Sequence, residues 1–95
     1  MLRSTARFET SNGARYLQAL CKHFGHKVAV TYDTARGEAA LPPGPAQFSA
    51  DATGLDIAVS ATDAAGLARA RAIVEDHLLR FAFREDPEPL AWTQT

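Results

Sequence analysis

One cysteine, Cys21, and one methionine are all the sulfur in a chain of 95 residues. A lone thiol closes no internal disulfide, so the fold needs no oxidising compartment. Long apolar runs are missing too: nothing approaches the roughly 20 residues that cross a bilayer. The opening Met1-Leu2-Arg3-Ser4-Thr5-Ala6-Arg7 lacks the apolar stretch of a secretory leader. The expectation is a cytoplasmic protein with no membrane partner. Charge of one sign is also lacking, since the formal net charge is -1. Without an overall basic field, nucleic acid is not an expected partner. There is no glycine-rich phosphate loop; Pro42-Pro43-Gly44-Pro45 reads as a stiff turn, not a cradle of N–H donors. No Cys-x-x-Cys spacing points to a zinc knuckle or a redox pair.

What is present suits a globular protein. Apolar residues make up 46% of the chain and charged residues 22%, enough for one core and too apolar for disorder. The length predicts a single α+β domain over 1–95, with the tail 86–95 loosely packed. Charge is unevenly spread. Residues 1–50 carry six Lys/Arg and three Asp/Glu; residues 51–95 carry four and eight. Either one face pairs with another inside the fold, or two copies meet as a homodimer.

Hydrophobic spacing supplies the architecture. Leu2, Ala6 and Phe8 alternate with Arg3, Thr5, Arg7 and Glu9, which predicts a half-buried strand. Ser11 or Asn12 is placed to cap a helix from Gly13 to Phe24. Leu17, Leu20, Cys21 and Phe24 form its apolar stripe, and Gly25 is placed to end it in a left-handed cap. Val28, Val30 and Tyr32 predict a second strand, Glu38 to Leu41 a short third, and Phe48 and Ala50 a fourth. Leu55, Ile57 and Val59 give the clearest alternation. Thr62 or Asp63 caps a second helix from about Ala64 to Phe81 or a little further, striped by Leu67, Ala70, Val74, Leu78 and Phe81. Trp92 is expected to pin the tail, provided its indole N–H finds a partner. The order strand, helix, three to four strands, helix predicts an α+β two-layer sandwich. Its sheet is antiparallel, with both helices on one face.

Two segments hold all three histidines and the only cysteine, the side chains most able to bind metal or titrate near neutral pH: Cys21-Lys22-His23-Phe24-Gly25-His26-Lys27, and His77 to Glu85. Cys21, His23, His26 and His77 make a four-ligand inventory for a transition metal. Helical geometry opposes the full set, because Cys21 and His23 diverge by about 200° around the axis. The plainer reading is a core cysteine together with cations that favour a helix C-terminus. His77, Arg80 and Arg84 fall one turn apart and could hold an anion; alternatively Arg80 and Arg84 pair with Asp76 and Glu88. A nucleophilic Cys21 would need an exposed electropositive pocket, and its place on the core-facing stripe is the opposite. The residues therefore offer no catalytic set.

Ala14-Arg15-Tyr16-Leu17, Leu20-Cys21-Lys22-His23-Phe24 and His77-Leu78-Leu79-Arg80-Phe81-Ala82-Phe83-Arg84-Glu85 together resemble the bacterial domain-of-unknown-function family 2218. The Phe48 region and the Leu90-Ala91-Trp92 tail are similar as well, so the resemblance spans nearly the whole chain. It implies no established activity. Some members resemble fusions to siderophore-interacting, flavin-dependent ferric reductases. That implies a link to iron or siderophore metabolism and a partner of the siderophore-reductase type. This chain has no reductase part, so flavin binding does not carry over. The matching positions are Cys21, His23, His77, Arg80 and Arg84. The expected function is a non-enzymatic binding or accessory domain; the alternative is an interaction module that forms a homodimer.

Overall fold

A computed structural model describes residues 1–94; Thr95, the last residue of the expected tail, lies outside them. β1 (Leu2–Glu9), α1 (Gly13–Phe24), β2 (Val30–Tyr32), β3 (Arg36–Ala39), β4 (Ala46–Ala50), β5 (Gly54–Ala61) and α2 (Ala64–Phe81) follow one another. A single 3-10 turn (Phe83–Glu85) and a two-residue strand, β6 (Thr93–Gln94), complete the order. The six strands form one antiparallel sheet, ordered β2-β3-β4-β5-β1-β6.

Strand alternation decides which face the helices cover. Across one row Ala6, Ile57, Phe48 and Gly37 are aligned, all buried. The next row, Thr5, Ala58, Gln47, Glu38 and Thr31, points the other way. Leu17, Leu20, Cys21, Leu67, Val74 and Leu78 close over the first row with Leu55, Ile57 and Val59 to make one core. Each fully buried Leu, Ile or Val contributes about 1.5–3 kcal/mol by leaving water. The opposite face stays open, as an antiparallel sheet allows.

Element ends follow local chemistry. Asp63 Oδ1 accepts from the Gly66 amide at 2.7 Å and starts α2. Asn12 sits at the head of α1 but makes no side-chain cap; its amide is used elsewhere. Gly25 differs from the expected left-handed cap, with φ -62 and ψ -14. The chain continues into a right-handed turn in which the Lys27 and Val28 amides both donate to the Phe24 carbonyl at 3.0 Å. Glycine serves there for closeness, since a Cβ would meet Val30 Cγ2 at 3.0 Å. That turn also consumes Val28, which shortens β2 relative to the alternating pattern. β3 begins earlier than its apolar residues suggest, because Asp33 Oδ1 accepts from the amides of Ala35 and Arg36 at 2.8 Å and tightens the turn.

The C-terminal segment returns along the molecule. Trp92 donates its indole N–H to Glu75 Oε1 at 2.7 Å, and β6 pairs with β1 at Ser4 and Thr5. Leu90 and Trp92 pack partly buried against the core. Among the described residues no helix is long and apolar enough to cross a membrane.

Candidate functional site

α1 and α2 lie side by side on the sheet. Contacts of His77 with His23, and of Glu85 with Asn12 and Tyr16, show that they run antiparallel. His23 projects from the last turn of α1 and His77 from the penultimate turn of α2. Their ring centroids are 4.6 Å apart with planes inclined at 41°. Phe24 and Phe81 meet the pair edge-on, at 5.2 Å from His77 and 6.0 Å from His23. Two imidazoles remote in sequence thus share one aromatic cluster.

Each ring has a distinct state. His77 Nδ1 lies 2.7 Å from the Ile73 carbonyl. A carbonyl only accepts, so Nδ1 carries the proton and the Nε2 lone pair is left free in the neutral ring. His23 makes no side-chain hydrogen bond among the described residues. Its imidazole is held below the usual histidine range, first by partial desolvation, then by repulsion from the basic side chains His77, His26, Lys27 and Arg80.

The other sequence-derived candidates fall in different places. Cys21 is fully buried on the core side of α1, facing Gly37, where a Cβ would come within 2.7 Å of its sulfur. Burial pushes the thiol up to about 11, so it stays protonated at neutral pH. It therefore does not join His23, which lies on the solvent side. His26 is exposed in the turn after α1. Among the described residues no group of three or more His, Cys, Asp or Glu is arranged to hold a metal ion, so the four-residue set does not assemble. Arg80 pairs with Asp76 at 3.1 Å; Arg84 lies over the Phe83 ring at 5.6 Å instead of reaching Glu88. Phe81 leaves the core stripe, 37% exposed, because Ala82 takes the buried position one turn after Leu78. Phe83, two positions further along the chain, is 66% exposed.

A second cross-helix contact was not anticipated from the sequence. The Glu85 carboxylate accepts from Thr10 Oγ1 at 2.8 and 3.0 Å, from Asn12 Nδ2 at 3.1 Å, and from the Tyr16 hydroxyl. Tyr16 is the leading cause that holds this carboxyl below its ordinary value, with Asn12 and Thr10 adding to it. Burial, then the Glu85 hydrogen bond, raises the Tyr16 phenol. Every partner is spoken for, so the cluster is a lock between the β1–α1 junction and the end of α2. Its only sequence signal is that Tyr16 and Glu85 both belong to the motifs that carry the family resemblance.

A concavity of about 1110 Å³ lies on the uncovered face of the sheet, away from the histidines. Thr5, Ser49, Gln47 and Ala58 line its floor, and Arg3 and Arg36 stand among its walls. It is the open side of a curved sheet, not an enclosed pocket. Arg7 on that face is already saturated by Glu9, Asp51 and Asp56 at 3.2, 3.1 and 2.9 Å.

Fold and site together define a small α+β sandwich domain in which two helices, packed on one face of an antiparallel sheet, bring two histidines together. The chain belongs to a bacterial family described as "Uncharacterized protein conserved in bacteria (DUF2218)", whose model matches residues 5–93. It is similar to the protein PA4090 from Pseudomonas aeruginosa, solved by NMR, at 32% identity and a TM-score of 0.79. That match covers 100% of this chain and 96% of the other. No curated protein matches the chain.

Proposed function

We propose that this chain is a non-enzymatic binding or accessory domain that takes its ligand at the His23–His77 pair, with a transition metal ion as the bound species. One observation carries the reading: the two rings meet while His77 keeps Nε2 free. A hydrogen bond from the far ring nitrogen to a carbonyl is the usual way a protein orients a metal-binding histidine. In this reading Arg80, near His23, and Arg84, one turn further on, would supply positive charge for an anionic group on the ligand. Iron or siderophore handling, beside a reductase-type partner, is the setting that the family resemblance suggests. Calorimetric titration of untagged protein with zinc, copper(II), nickel and iron(II), each as the free ion and as its nitrilotriacetate chelate, is the direct check. One equivalent bound, and lost in His77→Ala, is the expected result; no saturable binding of any of them would end the reading.

A second reading rests on Phe81 and Phe83. Both are large apolar side chains left exposed, of the kind that contacts between proteins cover. In this reading the chain is an interaction module that pairs with a second copy. Sedimentation at high concentration should then show a dimer that Phe83→Ser disperses, and monomer alone would reject it.

A further inference from the structure

We infer that the His23–His77 pair is a two-coordinate platform for an anionic metal chelate, binding a metal that arrives already wrapped in oxygen donors. This rests on the metal-binding reading above and adds the class of species bound. The argument begins with distance. A metal–nitrogen bond of about 2.0–2.1 Å places the ion about 3.2 Å from each ring centre. Two imidazoles at right angles about the ion then have centres about 4.5 Å apart, at the tetrahedral angle about 5.2 Å, and opposite one another about 6.4 Å. The observed 4.6 Å fits adjacent positions of an octahedral or square site. Ligation from opposite sides, as in a haem held by two histidines, would need the helices to separate.

Two nitrogens leave most of such a shell open, and no other His, Cys, Asp or Glu among the described residues completes it. The ligand must bring the remaining donors. Charge then selects its sign. Lys27 is a basic neighbour that His23 feels. The charge of Arg80 is offset by its pairing with Asp76. A bare divalent ion is repelled by this surround, whereas a chelate whose carboxylate or similar oxygens outweigh the metal charge is attracted. The exposed Phe81 offers an apolar wall to the organic part of the chelator.

Nickel nitrilotriacetate has the required form: one negative charge and two adjacent free positions. Untagged protein is titrated with this chelate, with free nickel, and with a nickel chelate of five donors that leaves one position free. The chelate with two free positions should bind one to one. His23→Gln and His77→Gln should each weaken it at least tenfold, as should the change to five donors, about the loss expected when a metal contact is removed. Added salt should weaken it too, because the surrounding charges are exposed. Free nickel binding without the chelate would overturn this inference while leaving the metal reading standing. Chelate binding that survives either histidine substitution would overturn it as well. If neither form of nickel binds, and the zinc, copper and iron titrations are also silent, the metal reading itself falls.

Discussion

α1 and α2 meet through polar side chains at two levels. At the Glu85 level, donors from Thr10, Asn12 and Tyr16 converge on one carboxylate and no group is spare. At the histidine level, a single hydrogen bond orients His77, and among the described residues the remaining ring nitrogens of the pair face no protein partner. Both contacts hold the α1 and α2 regions together, the first largely through residues just beyond the helix ends. A polar cluster whose groups satisfy one another has spent its bonding capacity on the fold. One that keeps lone pairs free, and the tautomer of one ring set, retains capacity for something else.

The comparison can be broken at its common support first. Leu78 is fully buried and follows His77 directly. Leu78→Ala should cost about 2–5 kcal/mol in urea unfolding and loosen both levels together; a loss below about 1 kcal/mol would mean that the helices are held independently. Tyr16→Phe separates the levels. Removing a donor to a charged acceptor should cost about 1.5–3 kcal/mol while leaving any metal or chelate titration unchanged.

Acid sharpens the contrast further. Glu85 has its folded pKa below the ordinary value, so the stability it contributes is present above that ordinary value and is lost as pH falls through the lower, folded one. In urea titrations across this range, Glu85→Gln should flatten the acid limb. An unchanged limb would mean that other carboxylates, Asp51 among them, account for it; Arg7 holds the Asp51 carboxyl at about 2. The smallest effect belongs to the histidines. His77→Gln should shift stability by less than about 1 kcal/mol, in the range of ordinary surface changes. A larger loss would make the pair a structural contact like the other.

Much of this was legible along the chain. Both helices begin and end where their periodicity placed them, at Gly13–Phe24 and Ala64–Phe81, because stripes of Leu at helical spacing admit few alternatives. The two-layer α+β sandwich followed from one-sided stripes on both helices. β6 was not legible: Thr93 and Gln94 carry no alternation, and their pairing depends on Trp92 finding Glu75. Phe81 was assigned to the core because it lies three positions after Leu78; the true helical drift gave that place to Ala82. The meeting of His23 and His77 depends on the relative slide of two helices, which a pattern of burial along each one does not specify. The Glu85 cluster was hidden for the same reason, since its donors and acceptor are polar residues that hydrophobic spacing passes over.

Ser4 pairs with Gln94 through the same edge of β1, so the start and finish of the described chain are neighbours in space. Joining them through a short peptide would strain nothing, and the polypeptide could be reopened at the exposed Asp33–Ala35 bend. A permuted protein of this kind should keep its helices in place. The same adjacency would let a host protein carry this unit as a graft within one of its own loops, entering and leaving at nearly one point.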